Sequence, residues 1–342
     1  MSDTTTDAAA AARPRRMALP PNVVAWIGPL AALIVVYLFF CATGGAKGFF
    51  SMAGTAGWLN VAAELGIIAV PIGLLLIAGE FDLSSGSMVG AASITIAVGH
   101  KMGIPVEILL VAILVLAVLV GAFNAVLVER TKLPSFIVTL ASNFLLAGSS
   151  LGVSRLAAGT STISVRDIGW LHNVLATKIG PFNIAILWWA LAAILAAWVL
   201  EQTRLGNWIF ATGGNQDGAR RAGVPVGRVK LILFIWTSVS GAFVGVLTAV
   251  EFNQGYAGAG QGYIFQSAIA AVIGGVLLSG GFGSVTGVIF GTMIYGVVSL
   301  GLFYTGWPTD WLAAFIGGLL VLAVLTNNVI RQYALSRTGS RQ

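Results

Sequence analysis

An all-α integral membrane bundle of about ten transmembrane helices, with broken or re-entrant elements, is predicted by three features of this sequence. Between residues 23 and 330 the chain repeatedly runs for about twenty residues without Lys, Arg, Asp or Glu, the length a helix needs to cross a hydrocarbon core. Hydrophobic residues make up 57% of the 342 and charged residues only 9%, against about 25% charged in soluble domains; mean hydropathy is +0.93. In lipid every backbone polar group must be satisfied within the protein, so charge-free runs of this length predict helices rather than the alternating strands of a barrel.

The first 22 residues, rich in Ala and Thr and carrying Arg13, Arg15 and Arg16 before Pro20 and Pro21, have the composition of a disordered basic leader ahead of a retained signal anchor. Hydropathy places spans at 23–41, 58–78, 86–99, 108–128, 133–154, 182–200, 231–250, 267–280, 285–303 and 308–329. The third and eighth are short. Fourteen helical residues cover about 21 Å of a core about 30 Å thick, so these two are expected to be broken or re-entrant. A tail, 331–342, completes the chain. The single Cys41 leaves no internal disulfide, and Leu38, Phe39 and Phe40 ahead of it are too large for a lipoprotein site.

Charge predicts orientation. Of the 18 basic residues, thirteen fall on one side of this layout (Arg13, Arg15, Arg16, Arg130, Lys132, Arg204, Arg220, Arg221, Arg228, Lys230, Arg331, Arg337, Arg341) and five on the other (Lys47, Lys101, Arg155, Arg166, Lys178). The first side is expected to be the cytoplasm, with both termini inside and an even number of spans. The net charge of +6 then reflects topology and anionic headgroups, not nucleic acid.

Polarity concentrates in a few places. Gly79-Glu80-Phe81-Asp82-Leu83-Ser84-Ser85-Gly86-Ser87 places two carboxylates and three hydroxyls between apolar runs. It reads either as a costly polar break at membrane depth or as a cytoplasmic turn in which Asp82 or Ser84 caps the next helix; for both acids a wet cavity or interface is the expected surrounding. Asn60 and Glu64 lie one turn apart on the second span, with Glu64 expected to snorkel to its outer end. Asn124, Ser142 and Asn143 are isolated in apolar helices, either as interhelical hydrogen bonds or as path-lining groups. Glycine numbers 44, suiting close helix packing. Two stretches, 69–97 and 269–297, share the pattern of apolar run, Gly-Ser break and apolar run, either a repeat or an accident of composition.

The connection 201–230 is the longest on the basic side. Asn215 is a good N-cap for a short basic helix over 216–222 carrying Arg220 and Arg221, which Gly223 ends before Pro225. Such a helix suits docking onto a soluble partner, although topology alone also asks for these charges. No G-x-x-x-x-G-K-[ST] run is present to cradle phosphates. His100 and His172 fall in expected external loops, no cluster has metal-ligand spacing, and no G-x-S-x-G elbow is present. An enzyme is therefore disfavoured, and no cofactor is expected.

The stretch Gly79 to Ser87, the run Leu133-Pro134-Ser135-Phe136-Ile137-Val138-Thr139-Leu140, the loop Ala211 to Val224, and the pair Ala268 to Gly275 and Gly280 to Gly287 together resemble the permease subunits of bacterial ABC importers for ribose, xylose, galactose and related sugars. The resemblance covers about residues 20–330. It implies a permease domain over 23–330, a second permease copy or paralogue, separate ATPase subunits that bind ATP and Mg, and an extracytoplasmic sugar-binding protein. Carried over by position, Gly213, Gly214, Asn215, Arg220, Arg221 and Gly223 resemble the ATPase-coupling segment, and Glu80, Asp82, Ser84 and Ser87 the broken-helix element near the path. Asn60, Glu64, Asn124 and Asn143 join these as path candidates. Two departures stand out: Glu80 where the family usually has an apolar residue, and Asn207 where a basic one is common. The competing readings are an ABC permease for nucleosides or branched-chain amino acids, a proton-coupled secondary transporter using Glu64, Glu80 or Asp82, and an assembly protein with no path.

Overall fold

The structure, a computed structural model, describes the backbone of residues 21–44, 48–166 and 168–339, and side chains between 26 and 325 apart from those gaps. The leader through residue 20, with Arg13, Arg15 and Arg16, lies outside the described residues, as do Lys47 and Arg341.

Helices α1 (Pro21–Gly44), α2 (Met52–Ile77), α3 (Ser84–Lys101), α4 (Val106–Thr131), α5 (Ser135–Ala158), α7 (Ala185–Gln202), α10 (Val226–Glu251), α11 (Tyr263–Ile273), α12 (Val285–Thr305) and α13 (Leu312–Gly339) occupy the ten expected spans. Three short helices, α6 (Trp170–Leu175), α8 (Arg204–Gly214) and α9 (Gln216–Arg221), lie in connections. So do the small antiparallel pairings of β1 (Thr162–Ser164) with β4 (Gln254–Tyr256) and of β2 (Lys178–Ile179) with β3 (Phe182–Asn183). Side-chain oxygens start several helices. Ser51 accepts from Gly54 N–H, Ser284 from Gly287 N–H and Asn215 from Gly218 N–H, satisfying first-turn amides that have no intrahelical acceptor.

Among the described residues, seven helices are long and apolar enough to cross a membrane: α1, α2, α4, α5, α7, α10 and α12. Helix α3 runs 18 residues, longer than expected; at about 27 Å its shortfall is one of apolarity, set by its Gly and Ser, rather than of length. Helix α11 has only 11 residues, about 16 Å, and cannot span alone.

The packing puts α2 at the centre, against α12, α11, α7 and α10, with α10 also on α3 and α4, and α3 on α5. Helix α2 is buried along most of its length, whereas α4, α5 and α7 expose rows of large apolar side chains such as Leu119, Leu145 and Ile194. That distribution is what a bundle in lipid requires, because lipid tails are as apolar as the exposed side chains.

Between α10 and α11 the chain turns back into the bundle. A Cβ at Gly255 would meet Ser93 O, one at Gly90 would meet Ala257 O, and one at Gly86 would meet Gly260 O at 2.7 Å. The segment therefore descends beside α3 from its last turns to its first, and only glycine lets the two backbones lie this close. Helix α11 begins where the descent ends. The eighth expected span, 267–280, is thus corrected: the extended stretch precedes it, a half-helix fills only its first part, to Ile273, and irregular backbone the rest.

Candidate functional site

Irregular backbone at membrane depth is tolerated where it is buried in protein or lines a cavity, and both uses occur here. The descending segment walls a cavity of about 300 Å³ together with α2, α3, α10 and α11. Its polar lining comprises Glu64, Ser93, Thr248, Gln254, Tyr256, Tyr263 and Gln266, and no lysine or arginine lines it. Tyr263 OH donates to Glu64 Oε2 at 3.1 Å, joining α11 to α2. Glu64 is the thirteenth of the 26 residues of α2, about 18 Å from its start. The expectation that it snorkels is therefore corrected: half a helix is too far for its side chain to reach, and Tyr263 holds it in place.

The other irregular stretch, Glu80 to Leu83, is buried in protein. Hydroxyls of α5 satisfy its backbone: Phe81 N–H donates to Ser135 Oγ at 2.9 Å and Leu83 N–H to Thr139 Oγ1 at 3.1 Å. Asp82 is 1% exposed. Its Oδ1 accepts from Ser84 N–H at 2.8 Å and from Ser84 Oγ at 2.6 Å, and its Oδ2 from Thr237 Oγ1 at 2.5 Å. Behind Ser84, Asn124 Nδ2 donates to Ser84 Oγ at 2.8 Å and Ser142 Oγ to Asn124 Oδ1 at 2.5 Å. Every donor in this chain points toward the carboxylate, a group with acceptors to spare. A second link joins α3, α5 and the descending segment: Ser87 Oγ donates to Asn143 Oδ1 at 2.5 Å and receives Gln261 Nε2 at 3.3 Å.

Glu80 lies beside this network in an ion pair, its Oε1 at 2.5 Å from Lys230 Nζ, with side chains 10% and 4% exposed. The expected wet surrounding is thus corrected for both acids. Asp82 is enclosed by hydroxyls and an amide, and Glu80 by a lysine 150 residues away in sequence that contiguous reading could not pair with it.

At the same end of the bundle, α8 docks by backbone. Gly79, Gly213, Gly280 and Gly281 meet: Gly281 N–H donates to Ile77 O at 2.8 Å, and a Cβ at Gly280 would fall 2.9 Å from both Gly213 O and Gly79 Cα. Both Gly-rich breaks thus rest on the end of α8. Helix α9 follows, with Arg220 and Arg221 exposed in its last turn; Gly223, at φ +83°, turns the chain after it. Helix α8, a ready amphipathic helix capped by Thr203, was not expected from the sequence.

Of the path candidates, Glu64 lines the cavity. Asn60 instead ties α2 to the β2–β3 hairpin, donating to Pro181 O at 3.2 Å and accepting from Asn183 N–H at 2.9 Å. Asp82, Ser84 and Asn124 share one network, and Ser87 and Asn143 the other. Tyr263, Gln266, Ser93, Thr248 and Lys230 were missed. The glycine-spaced Gln254-Gly255-Tyr256-Ala257-Gly258-Ala259-Gly260-Gln261-Gly262 was the signal for the first four, since it cannot continue a helix economically. The histidines are not in open loops: His100 lies in the last turn of α3, its Nε2 2.7 Å from Arg166 O, and His172 lies in α6. Among the described residues no group of three or more His, Cys, Asp or Glu could hold a metal.

Central buried helices, a half-helix, a cavity at the break and a glycine junction under a capped basic helix describe a transport bundle, and the comparisons agree. The chain is 27% identical to the xylose transport system permease protein of Haemophilus influenzae, over 89% of this chain and 96% of that protein. It is 28% identical to the autoinducer 2 import system permease proteins of Yersinia enterocolitica and Escherichia coli, over 78% of this chain and 80% and 81% of theirs. No solved structure matches. The family described as "Branched-chain amino acid transport system / permease component" matches residues 54–324, and the chain, a multi-pass membrane protein, belongs to that family of transport permeases.

Proposed function

We propose that this chain is the membrane-spanning subunit of an ATP-binding-cassette importer in a bacterial inner membrane, passing a monosaccharide delivered by an extracytoplasmic binding protein. The cavity carries the reading. Its hydroxyls, amides and one carboxylate are groups that exchange hydrogen bonds with a neutral polyol, and it lacks the lysine or arginine that would pair with an amino acid's carboxylate. The similarity to the xylose and autoinducer 2 permeases supports the same substrate class over nucleosides or branched-chain amino acids.

In this reading α8 and α9 face the cytoplasm and rest on the partner ATPase, which holds ATP and Mg, and a second permease copy or paralogue completes the path. The free energy enters as differential binding of the ATPases to two permease states. Glycine contacts at Gly213 would transmit it as a rigid shift of both breaks, and Arg221, exposed and without an ion pair among the described residues, is a natural docking group. A Glu64→Ala/Gln266→Ala variant in proteoliposomes with ATPase and binding protein is expected to lose about tenfold or more in sugar uptake. Uptake at the wild-type rate would remove the cavity from the path.

Orientation has a separate test. Single cysteines at His172 and Asn215, in a Cys41→Ser background, are expected to label with an impermeant maleimide from outside whole cells at the first position only. Equal labelling would reverse or discard the topology.

A further inference from the structure

We propose that Glu80, Lys230 and Glu129 form an ionic strut through which movement of the basic helix α9 reaches the break between α2 and α3. The proposal rests on the reading of α9 as the ATPase-docking helix. Arg220, on α9, places Nη2 2.6 Å from Glu129 Oε1, on α4. Lys132 Nζ is 3.0 Å from the same oxygen. The other oxygen of Glu129 lies 3.8 Å from Lys230 Nζ, on α10, and Lys230 pairs at 2.5 Å with Glu80, in the break. Gln216, turned so that its amide oxygen faces the cations, accepts from Arg220 at 3.0 Å and from Lys230 at 2.8 Å, closing the path from α9 a second way.

The order along the path is base, acid, base, acid, from the exposed surface to a pair with side chains only 4% and 10% exposed. A buried ion pair is a poor way to gain stability, since apolar residues of similar volume often serve as well or better, but removing one partner is severe because the other stays buried and unpaired. Displacing α9 would pull Arg220 and Gln216 from Glu129 and Lys230. Lys230 would then have to follow or lose a partner, and Glu80 is two residues from Asp82, which accepts from the N–H and hydroxyl of Ser84 at the start of α3. The pair therefore suits a positioning role with discrete arrangements, which continuous apolar packing would not impose.

The test uses the complete complex of permease, ATPase and binding protein in proteoliposomes, reading sugar imported, ATP hydrolysed and assembled subunits together. Lys230→Met, which leaves Glu80 buried and unpaired, is expected to lower the yield of assembled complex and, in what does assemble, to lower sugar imported per ATP by about tenfold. The swapped pair Glu80→Lys/Lys230→Glu restores the buried pair but sets two carboxylates against each other at positions 230 and 129, so it should recover assembly without coupling, and the apolar pair Glu80→Leu/Lys230→Met should likewise assemble yet remain uncoupled. Glu129→Gln, at a site with 29% of the side chain exposed, should give an intermediate loss that is not additive with Arg220→Ala. Wild-type coupling in the apolar pair would show that only packing matters and would overturn the strut. So would additive losses for Glu129→Gln and Arg220→Ala. A wild-type complex with no ATP-driven uptake would instead overturn the importer reading, and the strut with it.

Discussion

Asp82→Ala is expected to abolish uptake and to destabilise the protein more than any other single side-chain truncation in the polar core. Both donors of Ser84, its N–H and its hydroxyl, would lose their acceptor in a site that is 1% exposed at Asp82. At about 1–3 kcal/mol for each buried donor left unpaired, the loss is about 3 kcal/mol or more. Thr237 suffers less, because its hydroxyl also reaches Phe234 O at 2.9 Å. That alternative makes Asp82→Asn mild. Its Oδ1 can keep both Ser84 bonds, while its NH₂ donates to Thr237 Oγ1 and frees the Thr237 proton for Phe234. Uptake within about threefold of wild type is expected for the asparagine variant. Thermal denaturation in detergent and vesicle uptake check both; a dead but well-assembled Asp82→Asn variant would mean that the negative charge itself is required, as a proton relay would demand.

Gly213→Val is expected to be equally severe through sterics alone. A Cβ there would lie 2.6 Å from Gly281 N and 2.9 Å from Ile77 C, beside Ile77 O as well. These are backbone atoms of two other segments, with no flexible side-chain end to yield. Overpacking of this kind costs about 1–3 kcal/mol or more, and any relief must come from separating α8 from the two breaks. Loss of uptake with ATPase binding weakened is the expected outcome. The neighbouring Gly214→Ala has nothing within 4 Å of its Cβ and should stay within about 0.5 kcal/mol of wild type. If both variants transported equally well, the glycine junction would have no mechanical role.

The helical layout was legible because crossing a membrane is a constraint on contiguous sequence. Ten apolar runs became ten helices, and the two short ones became the two that begin inside the bundle. The cap at Asn215 and the turn at Gly223 were legible for a similar reason, since each depends on a residue's own backbone preferences and on amides within three positions. Helix α8 was hidden because Gly213 and Gly214 read as loop residues; their role is close approach to Ile77 and Gly281, which local propensity does not register.

By itself the sequence determined the fold class and the order and approximate lengths of the spans, because both follow from transfer of contiguous side chains and backbone between water and lipid. Only the tertiary structure decided which polar groups share a surrounding. Glu64 faces Tyr263, Glu80 meets Lys230 and Asp82 meets Thr237, pairs separated by 150 residues or more. In a bundle where helix packing is set by small residues along several faces, such partners follow from which faces meet, and no local period in the chain encodes that choice.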